Sequence, residues 1–109
     1  MAQHHAQSGE IVDLRPLGGD LPNRRTTAIV KTKSFEAIHL VIPAGREIPA
    51  HEVTGDITLH CLEGRVALDL PDAGIELAAN DWVYLEGGAR HRVKAIEDAS
   101  LLLTILFEH

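Results

Sequence analysis

The residues of this chain best suited to chemistry at neutral pH are its histidines, and two of them share the stretch at residues 44–64, AGREIPAHEVTGDITLHCLEG. His51 stands between two turn signals, Pro43-Ala44-Gly45 and Thr54-Gly55-Asp56, and His60 lies on the apolar run that follows. A neutral imidazole ligates transition metals and accepts protons. A β-protein that turns on both sides of one histidine and threads a second along the next strand therefore has the makings of a metal or small-ligand site. Glu52 and Asp56 flank it and are of a type that serves as a general base. Cys61 has the opposite strand parity to His60 and reads as a small buried apolar residue rather than a nucleophile. His39 lies within an apolar strand and reads as structural, with a dimer interface as the alternative. His4 and His5 belong to a polar terminus. Gly55, Gly87 and Gly88 are turn residues, since no Gly-x-Gly-x-x-Gly opens a helix here.

Short strands must position these residues. Residues 1–10 are small and polar and read as a flexible tail; residues 11–109 read as a single domain. Residues 11–14 suit a short strand, and Pro16, Gly18-Gly19 and Pro22 a loop. Residues 26–33 carry β-branched side chains that fit a pleated surface. Residues 35–42 are largely apolar on both faces, Phe35, Ala37, His39 and Val41 on one and Glu36, Ile38, Leu40 and Ile42 on the other. Such a strand suits a place between a core and a second surface, such as a partner subunit. After the histidine stretch, residues 65–70, 75–77, 82–85, 91–96 and 99–108 each read as a strand, separated by Pro, Gly, Asn and Asp turns. Trp82 and Tyr84 share a face and read as core or pocket lining. The count is nine or ten strands at turn spacings near 8 to 12 residues, the pattern of an all-β sandwich or barrel.

Composition removes several functions. With 10 basic against 16 acidic residues the chain carries a net charge of −6, which argues against nucleic acid and anionic membrane surfaces as partners. The run Arg90, Arg92, Lys94 reads as a solvated strand face. No apolar run approaches the roughly 18 residues of a membrane span, and residues 1–10 lack the apolar region of a secretion signal. The single cysteine fits a reducing cytoplasm. Aromatics are 4 % of the chain, too few for a base-stacking platform.

Two segments resemble the paired motifs of the cupin superfamily. The first motif runs Gly, five residues, His-x-His, three or four residues, Glu, six residues, Gly; here Gly45, His51 and Gly64 fall in place, the last within Leu62-Glu63-Gly64. The second runs Gly, five residues, Pro-x-Gly, two residues, His, three residues, Asn. Here Asn80 takes the first slot, Glu86-Gly87-Gly88 replaces Pro-x-Gly, His91 takes the histidine slot and Ala95 the last. The resemblance spans residues 35–107 and implies a cupin double-stranded β-helix, a jelly-roll barrel of the small RmlC-like type, often a homodimer.

The resemblance also implies a metal site, and the departures from it bear on function. A typical cupin uses both histidines of His-x-His, the glutamate and the later histidine. Here Val53 takes the second histidine slot, and Ile57 or Thr58 the glutamate slot, so only His51 and His91 match. His60, on the strand that usually carries the glutamate, completes a three-imidazole set with His51 and His91 if it faces inward. Such a set suits a divalent transition metal: Zn, Fe, Ni, Mn or Cu. Two readings follow. In one, a mononuclear metal on His51, His60 and His91 serves an oxygenase- or isomerase-like reaction on a small polar molecule. In the other, the barrel binds a small molecule or regulates without catalysis. A purely structural dimer is a third, weaker reading.

Overall fold

The computed structural model describes residues 4–51 and 54–107, and of residues 49–51 the backbone alone. Among these residues nine strands form: β1 (Thr27–Lys31), β2 (Phe35–Ile42), β3 (Glu47–His51), β4 (Ile57–Glu63), β5 (Arg65–Asp69), β6 (Gly74–Ala78), β7 (Trp82–Leu85), β8 (His91–Ala95) and β9 (Ala99–Leu106). All pair antiparallel, in a five-stranded sheet of order β1-β2-β9-β4-β7 and a four-stranded sheet of order β3-β8-β5-β6. Successive chain segments switch between the two sheets, so their inner faces enclose one core: Ile42, Leu59, Leu101 and Leu103 from the first sheet, Val66, Leu68, Leu77 and Val93 from the second. Burying each such side chain is worth about 1.5–3 kcal/mol. No helix among the described residues is long and apolar enough to cross a membrane.

The two outer faces differ in kind. On the four-stranded sheet, Glu47 and Lys94, and Asp69 and Arg92, are cross-strand partners, and all four are exposed; this face is charged and solvated. On the five-stranded sheet, register sets out two rows across β2, β9, β4 and β7: Ala37, Thr104, Thr58, Tyr84 and His39, Leu102, His60, Trp82. Neither row contains a charged residue. A third row, Val41, Ser100 and Glu63, lies beside a 3₁₀ turn at Gly18–Asn23. Glu63 ties that turn down, accepting hydrogen bonds from the amides of Leu17 (2.7 Å) and Gly18 (3.0 Å) and from Ser100 Oγ (2.6 Å). Leu21, within the turn, is fully buried.

Three expectations need correction. Residues 11–14 are not a strand: Ile11 is 92 % exposed, and Arg15 donates its amide to Asp13 Oδ1, a local bond that competes with sheet pairing. β3 was not expected, because Pro49 and flanking charges disguise it; as an edge strand it tolerates a proline. Trp82 and Tyr84 share a face, but the outer one, where they are 59 % and 48 % exposed. Residues 4–10 lie against β1, with the Ala6 amide donating to the Ile29 carbonyl at 2.7 Å. Asn80 has φ +76, the left-handed region that asparagine tolerates better than most residues, which accounts for its standing in the glycine slot of the second motif.

Candidate functional site

One end of the barrel gathers the loops that carry the motif histidines. β3 ends at His51 and β4 begins at Ile57; β7 ends at Leu85 and β8 begins at His91; β9 ends at Leu106. Backbone bonds stitch this end together. The Leu106 amide donates to the Asp56 carbonyl (2.9 Å) and the Phe107 amide to that of Ser34 (2.9 Å), while Gly87 donates its amide to Asp56 Oδ1 (2.8 Å). Asp56, read from sequence as a possible base, is thus a loop cap. Gly55 and Gly87 are required by space: a Cβ at Gly55 would strike the Leu106 carbonyl, and one at Gly87 the Thr54 carbonyl.

His51 and His91 are directly opposite in the β3–β8 ladder, brought into register by a bulge between Ile48 and His51. The two motif histidines, 40 positions apart in sequence (91 − 51), are therefore cross-strand neighbours. The side chain of His51 lies outside the described residues, as do Glu52 and Val53 altogether. His91 is 3 % exposed and alternates with Val93 and Ala95, both in the core, so it belongs to the inner file of β8. Its Nδ1 lies 3.2 Å from the Ala89 carbonyl and donates to it, which in a neutral ring makes Nε2 the acceptor nitrogen.

His60 is not part of this set. β4 buries Ile57, Leu59 and Cys61, and His60 stands on the opposite file with Thr58 and Leu62, in register with Trp82 and Leu102 on the outer face. The register shift in β4 falls after His60, between Cys61 and Glu63, so the alternation of Ile57, Leu59 and Cys61 inward runs unbroken past it. Of the two residues that can take the glutamate slot, Ile57 is 2 % exposed and packs in the core, and Thr58 stands on the outer file. Among the described residues no three His, Cys, Asp or Glu side chains gather as a metal would need. Among the described residues, then, an aliphatic side chain stands inward at the glutamate slot, and His60 does not join His91 on the inner face.

Register adds a residue the sequence reading passed over. Across the inner face at this end run Glu36, Ile105, Ile57 and Leu85. Glu36 shares its file with Ile38, Leu40 and Ile42, so a half-buried carboxylate heads an otherwise apolar row. The alternation itself was readable; that this file ends at the histidine end was not.

Comparison with solved structures identifies the architecture. The chain is similar to a cupin superfamily protein from Desulfitobacterium hafniense (TM-score 0.76, 17 % identity, covering 90 % of this chain and 95 % of that one). It is similar to a conserved protein of unknown function from Streptococcus pyogenes (TM-score 0.76, 18 % identity, 100 % and 99 % covered). It is also similar to an RmlC-like cupin family protein with a double-stranded β-helix fold from Methanocaldococcus jannaschii (TM-score 0.74, 19 % identity, 90 % and 93 % covered). No family model matches the chain, and no curated protein matches it in sequence. The fold is the cupin double-stranded β-helix.

Proposed function

We propose that the chain is a cytoplasmic small-molecule-binding cupin that holds its ligand at the His51–His91 end of the barrel, through imidazole rather than through a metal ion. The observation that carries this is the glutamate slot of the resemblance: Ile57 there is buried and apolar, and Thr58, the slot's other occupant, stands on the outer file. His91 stands on the inner file at the end of the barrel where the apolar row of Ile105, Ile57 and Leu85 also lies, and His51 is its backbone partner in the β3–β8 ladder. That combination suits a small molecule with an apolar body and one polar end.

The expected result is that untagged protein carries well under one equivalent of transition metal by elemental analysis. Ile57→Glu, which restores the carboxylate, is expected to raise metal retention, and His91→Ala in that background to abolish it. A full equivalent of metal on the native chain, lost on His91→Ala, would reverse the proposal. Binding itself is read by thermal shift with sugars, carboxylic acids and amines. Stabilisation by one class should survive a chelator and disappear in His91→Gln, with His60→Gln unchanged.

The same reading includes a homodimer through the outer face of the five-stranded sheet. Two copies of net charge −6 repel unless they meet on an uncharged surface. The two neutral rows, with Trp82, Tyr84 and Leu106 exposed, supply one. Light scattering should give twice the chain mass for the native protein and one chain mass for Trp82→Glu. A native protein still monomeric at about 100 µM, where a dimer with a Kd of about 1 µM would be almost wholly assembled, would remove this element alone.

A further inference from the structure

We propose that the dimer face is a proton switch: His60 lets a second copy of the chain cover it only while its ring is neutral, so that mild acid opens the dimer. The inference rests on the dimer reading above and names how that interface is controlled. His60 is half-buried on the outer file of β4, directly opposite Leu102 on one side and Trp82 on the other, with Thr58 and Leu62 two places away along its own strand. Its ring makes no hydrogen bond or ion pair among the described residues, and neither neutral row holds a carboxylate that would keep a proton on it. Against solvent, water serves either form of the ring. Under a second copy it does not: covering a charged imidazole that has no partner removes its hydration, and the neutral ring loses far less. A twofold contact presents the same surface from the other side. The incoming rows therefore bring no carboxylate either, and the two copies of His60 place like charges in one interface.

The charged groups around this face are held elsewhere or lie outside the rows. Glu63 accepts its three hydrogen bonds at one border, Arg24 pairs with Asp20, and Asp56 caps the Gly87 amide. Asp81, just before Trp82, accepts the Ala78 amide at 2.8 Å. Glu86 is exposed in the turn after β7. Tyr84 shares the face, but partial burial and the carboxylates of Asp56 and Glu86 push its phenol up, so it stays neutral in mild acid. His39 ends the row beyond Leu102, with Thr27 opposite it on β1 and Glu63 and Arg24 as its charged neighbours. Its buried Nε2 has no hydrogen-bond partner among the described residues, so it acts in the same direction as His60. Net charge alone predicts the reverse. A chain of net charge −6 becomes less negative as pH falls, so two copies repel less, and an interface without a titrating ring would tighten.

Sedimentation equilibrium at fixed ionic strength tests the switch. The dimer Kd should rise at least about tenfold from about pH 7.5 to about pH 6.0, because two rings of ordinary value about 6.5 must stay unprotonated in the dimer. His60→Gln, neutral throughout, should hold the Kd within about threefold over that range, the remainder being left to His39. A native Kd that stays flat or tightens toward acid overturns the switch and leaves the dimer in place. An equal rise in His60→Gln overturns it as well, and so does a rise that appears only where far-ultraviolet circular dichroism is lost, since unfolding then accounts for it. Should the variant fail to pair at either pH, the sign of the native change still decides. A native chain that is monomeric at the higher pH removes the dimer reading and the switch together.

Discussion

Gly55→Ala is expected to destabilise the domain by at least about 3 kcal/mol, lowering the Tm by more than about 12 °C. The reason is backbone against backbone. The added Cβ would meet the carbonyl of Leu106, which no rotamer change relieves. Residues 54–56 would have to move away from the end of β9, breaking the bond from the Leu106 amide to the Asp56 carbonyl. With a typical stability of 5–15 kcal/mol, a loss of that size leaves little margin. It falls where His51 is held against His91, so any binding should fall with it. Gly88→Ala is the control. It has φ +84 but open space for a Cβ, and so should cost only about 1 kcal/mol. Thermal unfolding of the two variants decides the matter, and a Gly55→Ala protein melting within a few degrees of the native chain would mean that the loop sits elsewhere.

Glu63→Ala should cost roughly 2–4 kcal/mol and, more tellingly, flatten the acid side of the stability profile. Three donors converge on this carboxylate, the amides of Leu17 and Gly18 and the hydroxyl of the fully buried Ser100. Removing a charged acceptor leaves its donors without a partner, which costs more than the bonds contribute net. Burial pushes the Glu63 carboxyl up, but the bonds from Ser100, Leu17 and Gly18, with His39 beside it, outweigh burial and hold it below the ordinary glutamate range. The sign follows. A carboxyl with a depressed folded value adds stability above its ordinary value of about 4.3, and that stability is lost as pH falls through the depressed value.

His39 acts in the same direction at higher pH. Burial lowers its affinity for a proton, Glu63 opposes that, and Arg24 adds to it. Its Nε2 is buried with no hydrogen-bond partner among the described residues. The ring is therefore best kept neutral, and stability begins to fall below its ordinary value of about 6.5. Two acid steps are expected in chemical denaturation against pH, the lower one missing in Glu63→Ala and the upper one in His39→Leu. A single step, unchanged by either substitution, would mean that neither group governs the clamp on residues 17–23.

The strands, their turns and the histidine spacing were legible in the chain because side-chain alternation and the φ demands of Gly, Pro and Asn are local. β2 and β7 have the expected bounds, and Cys61 is the small buried residue its parity implied. β3 stayed hidden because an edge strand can carry Pro49 and charges that look like loop. Tertiary structure alone decided the rest, since alternation shows that two files exist and not which of them meets the other sheet. The position of the β4 bulge, after Cys61 rather than before His60, sent that imidazole outward and left Ile57 inward. Register between strands distant in sequence set His91 opposite His51, carried Glu36 to the same end, and put His39 and His60 in one row. None of these neighbours is within reach along the chain, and only closing the two sheets over a shared core brings them together.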